Sequence, residues 1–485
     1  MIYRALTYGL SPLIYLHLRW RKLRGLEHPL RWRERLGRPS LPRPPGPLLW
    51  IHAVSLGEGM AAIPVIKQCV QRRPDVTVLM TTTTTSAFEV IKHWLPTHVI
   101  YQFAPLDTPA SMDAFLGYWK PNAIMLLESE LWPNLIIGAS RNGIELALLN
   151  ARMSVKSFKH WSGPVVLPLT SLMLSKFSLI VPLSTIQAIR FQLLQAPPFI
   201  INFSGDLKYA IGEFDISKRD ASMEDMQAQF AHRQVWMASS IHKGEEEVIL
   251  GVHKVLKQMH PDVVTIIVPR HPQLGQDIAM QLQQEGVNVA LRSHQDKLMP
   301  GTSIYVVDTL GLSLTVVAPF YISVYSVNLD YFLMSVKITW KLDCLQFQDF
   351  VHGGVKCSTC FVGELRQFYR LTPIAVIGGS FLPGLAGHNI SEAAAAGCAV
   401  LTGNYVGHFS HMAMEMQRLN PLSVLQISDE RELAKVLSEL FSDVKLLEAR
   451  RVAAKQAFHV LSNGIIENIW NLLNFHIFRR AMAEI

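Results

Sequence analysis

The chain has 485 residues, of which 49% are hydrophobic and only 17% charged. That is too long for one compact core and too apolar for a disordered chain, so two domains with large buried sheets are expected. The net charge of +7 equals that of residues 1–38 alone, which set nine Arg or Lys against Glu27 and Glu34, and the neutral remainder excludes a nucleic-acid-binding face spread over the fold.

At the N-terminus, fourteen uncharged residues, Ala5 to Leu18, lie between Arg4 and Arg19. A bilayer span needs about 20 apolar residues, and Pro12 and His17 weaken the run further. The stretch Arg19-Trp20-Arg21-Lys22-Leu23-Arg24 suits an anionic membrane surface. A basic helix packed on the domain is one alternative. A transit peptide is another, because residues 1–26 are Arg-rich and free of acids. Five Cys make no disulfide framework.

From Leu48 onward, short apolar strands alternate with amphipathic helices. The strands are expected at Leu48–Val54, Val76–Thr81, His98–Phe103, Ala123–Leu127 and Leu146–Leu149. A second set follows at Val235–Ser239, Val263–Val268, Ile304–Val307, Ile374–Ile377 and Val400–Leu401. This alternation predicts two parallel sheets covered on both faces, with ligand bound at the carboxyl edges of their strands. The polar stretch from Gly212 to Arg233 is expected to lie on the surface.

Five segments carry residues with chemistry. In Ala53-Val-Ser-Leu-Gly-Glu58, a strand turns into a helix expected to start near Met60, so Glu58 is either a helix-start carboxylate or a general base. The helix dipole should lower its pKa, against basicity. In Glu128-Ser-Glu130-Leu-Trp-Pro133-Asn134, one carboxylate can face a crevice while the other pairs locally. Pro133 fits a first helical turn. Lys208 in Ser204-Gly-Asp-Leu-Lys208 is solvated or neutralises an anionic leaving group. Arg270 in Val268-Pro269-Arg270-His271-Pro272 presents a planar fork to phosphate, or lies on the surface; His271 reads as structural. Finally, Gly378-Gly379-Ser380 and Gly387-His388-Asn389-Ile390-Ser391-Glu392 place glycines after a strand. Asn389 and Glu392 either form a capping box, or the helix N-terminus takes a phosphate while Glu392 takes a ribose diol. This is not a dinucleotide fingerprint, and no His, Cys or Asp set has zinc spacing.

With Asn150-Ala-Arg-Met-Ser154 and His242-Lys-Gly-Glu-Glu246, these strings in this order resemble the 3-deoxy-D-manno-octulosonic acid (Kdo) transferases, lipid A glycosyltransferases, and above all their plant mitochondrial branch. The resemblance runs from about Tyr3 to the C-terminus, apart from Leu312–Val362. It implies an α/β GT-B fold, two Rossmann-like domains facing a central cleft. The expected layout is a membrane-proximal segment 1–40, an acceptor-binding domain 41–210, a donor-binding domain 211–470 and a tail 471–485. It implies an inverting enzyme that takes CMP-Kdo as donor and a lipid A precursor as acceptor, with no metal or other cofactor. By the same resemblance, Glu58 is the base, and Glu128 and Lys208 stabilise the transition state. Pro269, Arg270, Leu310, Gly311, Glu364 and Asn389, Ile390, Ser391, Glu392 contact CMP. The expected place is a mitochondrial membrane surface, reached through the basic N-terminus, or the cytoplasmic face of a bacterial inner membrane. Other expectations are a GT-B enzyme using a different nucleotide sugar, and a catalytically impaired membrane-associated relative.

The 51 residues Leu312–Val362 break the pattern. They hold nine aromatics and three of the five Cys, show no helical period, and separate Leu310-Gly311 from Gly363-Glu364, where the family has one continuous nucleotide contact. Their composition fits a retained intron or a gene-model artefact. Sequencing the transcript across this joint tests that: a dominant message carrying the segment refutes it.

Overall fold

The computed structural model describes residues 2–210, 221–299, 301–309 and 361–482. Most of the Leu312–Val362 segment therefore lies outside the described residues, as do Leu310 and Gly311.

The first sheet has six parallel strands in the order β3-β2-β1-β4-β5-β6. They are β1 (Leu48–His52), β2 (Thr77–Thr82), β3 (Ile100–Phe103), β4 (Ala123–Leu127), β5 (Glu145–Ala151) and β6 (Leu179–Pro182). The second has seven, in the order β13-β12-β11-β7-β8-β10-β9. These are β7 (Gln234–Ile241), β8 (Val263–Pro269), β9 (Val289–Leu291), β10 (Ile304–Val306), β11 (Ile374–Ile377), β12 (Ala399–Thr402) and β13 (Val424–Gln426). All pairings are parallel. Strands β1 and β4 are buried throughout, which is why their sequences run apolar without alternation. The two α/β domains are therefore those the sequence predicts.

The differences fall at edges. β6, β9 and β13 have three or four residues each and border their sheets or nearly so, too short for a periodic signal. The polar stretch before β7 also differs. Its helix Ala221–Phe230 buries Met226 and Phe230 in the core, so that part does not simply lie on the surface.

In an open α/β sheet, the strand order reverses at one point, and a crevice opens there at the carboxyl edge. In the first sheet this lies between β1 and β4; in the second, between β7 and β11. The two edges meet. Ser391 Oγ, beyond β11, lies 3.4 Å from the Lys208 carbonyl oxygen, and Tyr209 OH donates to the Met412 carbonyl at 3.4 Å.

The chain then crosses back. Helix Ile465–Leu473 packs on helix Leu56–Arg72 of the first domain. Arg72 pairs with Glu467 at 2.6 Å and lies 5.2 Å from the centroid of the Trp470 ring. Gly205 has φ +98°, and a Cβ there would stand 3.1 Å from Ile465 Cγ1, so only glycine fits this approach comfortably. Trp470→Ala should cost about 3–5 kcal/mol of unfolding free energy, read by denaturant titration.

Candidate active site

Glu58 sits in the first turn of helix Leu56–Arg72, which starts four residues earlier than the sequence suggests. Ser55 and Glu58 form a complete capping box. Glu58 Oε2 accepts from Val54 N at 2.7 Å and Ser55 N at 3.4 Å. The Ser55 side chain is a further hydrogen-bond partner of the carboxylate. The dipole should lower this pKa, yet it is raised to about 7. Withdrawal from water is the main cause and the Glu128 charge the second, and together they outweigh the capping hydrogen bonds.

Glu128 follows β4 with φ +58°, a backbone that L residues rarely adopt. The turn is held by Glu128 N donating to Leu149 O at 2.9 Å and Arg152 N donating to Glu128 O at 3.2 Å. It aims a buried carboxylate between two cations, Arg152 Nε at 2.9 Å and Lys208 Nζ at 2.9 Å. Asn150 near the end of β5 and Ser240 near the end of β7 also have positive φ. All three lie at carboxyl ends of strands, where strained backbone marks functional edges. Asn150 Oδ1 accepts from Leu207 N at 3.0 Å and so holds the short helix that carries Lys208. The Lys208 side chain is 15% exposed, so it is not solvated. It also lies 5.6 Å from the Phe409 ring centroid, across the domain boundary.

Glu130 pairs locally, accepting from Trp132 Nε1 at 2.6 Å. Burial, then the charge of Glu58, push it up to about 8. Glu130 and Arg152 stand in the quoted strings but receive no role there. Their signal was only proximity, and the sequence gives no reason to rank Arg152 above its neighbours.

Across the cleft, Arg270 follows β8, its backbone N bonded to Ile241 O at 2.8 Å. None of the described residues accepts a hydrogen bond from its guanidinium. Pro269 ends the strand, fully buried. Asn389 Oδ1 accepts from Ser391 N at 3.0 Å and from Ser391 Oγ at 2.8 Å. Ile390 and Ser391 are buried. Glu392 does not return to Asn389, so no capping box forms; it faces Arg366 at 3.8 Å. Glu364 lies in helix Phe361–Leu371, but its side chain is outside what is described.

The glycine-rich loop behaves differently from its sequence reading. Glu245, fully buried, fills it from inside. Its Oε2 accepts from His242 N at 2.9 Å and Gly379 N at 2.7 Å, and its Oε1 from Ser380 N at 2.9 Å and Phe381 N at 2.9 Å. Those amides are taken by an internal carboxylate. Among the described residues, no three His, Cys, Asp or Glu side chains gather as a metal site.

The model of the family 3-Deoxy-D-manno-octulosonic-acid transferase (kdotransferase) matches residues 30–211. The chain is 57% identical over 480 residues to a protein of Arabidopsis thaliana named "Probable 3-deoxy-D-manno-octulosonic acid transferase, mitochondrial", covering 99% of this chain and 96% of that one. It is 27% identical over 464 residues to the 3-deoxy-D-manno-octulosonic acid transferase of Haemophilus influenzae, covering 93% of each. Among solved structures, a glycosyltransferase from Rickettsia africae superposes with TM-score 0.53 at 11% identity, over 91% of this chain and all of that one. At that identity the likeness concerns the fold alone, which is GT-B.

Glu58 and Glu130 keep protons in the folded chain that the unfolded chain has already released between about pH 5 and pH 8. Bound protons in excess on the folded side mean that stability falls as pH rises through this window. Glu130→Gln removes one of these costs. Its melting temperature should exceed the parent's by about 2–4 °C at pH 8.5, with the difference vanishing below pH 5. Glu245→Leu leaves four buried N–H groups unpaired and should lower stability by at least about 2 kcal/mol, read by denaturant titration.

Proposed function

The chain belongs to the Kdo transferase family, and from that premise we propose that it transfers Kdo from CMP-Kdo to a hydroxyl of a lipid A precursor, inverting the anomeric carbon and releasing CMP. The observation that carries this reading is Glu58. Two backbone amides fix its Oε2, the Ser55 side chain also holds the carboxylate, and its proton affinity lies near neutrality. A general base works best with its pKa near the operating pH.

In the proposed reaction, Glu58 Oε1 takes the proton of the acceptor hydroxyl. The hydroxyl oxygen forms a bond to the anomeric carbon, and the bond from that carbon to the phosphate oxygen breaks. CMP leaves with the electron pair. The sugar acquires cationic character on the way, as in other glycosyl transfers. The buried Glu128 carboxylate suits that charge, while its partners Lys208 and Arg152 supply positive charge for the donor's carboxylate and phosphate. Arg270 and the turn from Asn389 to Glu392 form the opposite wall and would receive the CMP moiety.

The amphiphilic acceptor fits the N-terminal helices. In helix Ser11–Leu23, Leu13, Leu16, Trp20 and Leu23 are 61%, 61%, 48% and 87% exposed. Their spacing of three and four places them on one face. Leu18 is buried, and Lys22 lies 5.0 Å from the Trp32 ring centroid, which seats the helix on the domain. No helix among the described residues is long and apolar enough to cross a membrane. We therefore propose surface attachment, in mitochondria by likeness to the Arabidopsis relative.

Glu58→Gln should lower CMP release from CMP-Kdo with a lipid A precursor by about 10²–10⁴-fold, with CMP affinity little changed. A fully active variant removes Glu58 from the base role. Only ionised Glu58 can act, so kcat/KM should rise with pH and level off above about 7. Glu130→Gln should leave that limb near pH 7, since Glu130, with its own pKa raised to about 8, is still largely protonated where Glu58 titrates. Leu16→Glu with Trp20→Glu should weaken binding to vesicles of mixed neutral and anionic phospholipid by roughly tenfold or more, with turnover of a detergent-dispersed acceptor retained.

A further inference from the structure

Two histidines at the carboxyl edge of the second sheet have no part in the reaction above. His242 follows β7, and His388 lies in the loop after β11, so they straddle the point where the strand order reverses. Their Nε2 atoms are 2.7 Å apart, and their rings stack at 5.0 Å between centroids and 11° between planes. A contact this short holds one proton between the rings, donated by one and accepted by the other. The pair can be neutral or carry a single charge. It cannot carry two, because two imidazoliums would set N–H against N–H.

The loop is built to hold this contact. Gly379 has φ +68°, and a Cβ there would stand 2.7 Å from His388 Cδ2. Gly387 N donates to Gly379 O at 2.7 Å, tying the two turns together.

The charges around the pair decide its state. Arg270 faces both rings, and His271 and Glu245 face His242. At His242 the Glu245 charge opposes Arg270 and acts more strongly than it, but burial outweighs both. Burial first and Arg270 next depress His388 to about 3, and burial lowers His242 as well. The pair is therefore neutral at neutral pH, beside a guanidinium with no acceptor among the described residues. An anion settling on Arg270 would cancel the repulsion and face a ring pair able to hold one more proton.

We propose that His242 and His388 complete, with Arg270, the anion-binding wall for the donor's phosphate, and that the pair takes up one proton when the anion binds. The charged pair keeps its bridging hydrogen bond, now strengthened by the charge, and sets a second cation beside the phosphate. This rests on the donor reading given above.

The test is calorimetry of CMP binding to the full chain at pH 7.5, in buffers of different ionisation enthalpy. The phosphate of CMP, with a second pKa near 6, is already almost fully ionised there and releases little of its own. The expected result is uptake of about one proton per CMP, with affinity falling by up to about tenfold per pH unit between pH 7.5 and 8.5. His388→Gln and His242→Gln should each abolish the uptake and flatten the pH dependence, while CMP still binds. CMP binding without proton uptake, or uptake unchanged in both variants, overturns the role of the pair alone. Failure of CMP to bind at all removes the donor reading and the proposal with it. Should either variant fail to fold, the wild-type profile still decides: a flat affinity between pH 7.5 and 8.5 refutes the proposal.

Discussion

Three carboxylates share the reversal point of the first sheet with two cations, and that shortfall of positive charge governs the cleft. Glu128 holds both Arg152 and Lys208. Glu58 and Glu130 are left with hydrogen bonds but no cation among the described residues. Removed from water and facing like charge, they become weaker acids than an exposed carboxyl. The burial and like charge that lower stability are the same causes that raise the proton affinity of Glu58.

On the opposite lobe, the glycine-rich turn already contains a carboxylate. Glu245 joins the end of β7 to the turn after β11 through four backbone amides. It fixes the loop whether or not a ligand is present. The amides of this turn are thereby already occupied. In the first lobe Arg152 and Lys208 pair with Glu128, whereas in the second the Arg270 guanidinium has no acceptor among the described residues. Contacts between Ser391 and Lys208, and the returning helix Ile465–Leu473, keep the two edges together.

The strands with long apolar runs were legible because burial on both faces demands such runs. β1, β4, β7 and β8 are of this kind. β6, β9 and β13 were missed, since three or four residues at or near a border carry no period. Glu58 and Glu128 could be singled out from their strings, and the local pairing of one carboxylate in Glu128–Glu130 was foreseen. The direction of the Glu58 shift was not. The dipole acts within one turn and can be read from sequence, whereas burial and Glu128, some seventy positions away in the chain, cannot.

The amino-acid sequence by itself determined the two α/β domains, the order of the motifs and the family, because hydrophobic period and short strings are properties of neighbouring residues. Tertiary structure alone decided which charges meet. Pairing of Glu128 with Lys208, filling of the glycine turn by Glu245, and the meeting of His242 with His388 join positions far apart in the chain. Electrostatic energy depends on distance through space and on exclusion of water, and neither is written in local order.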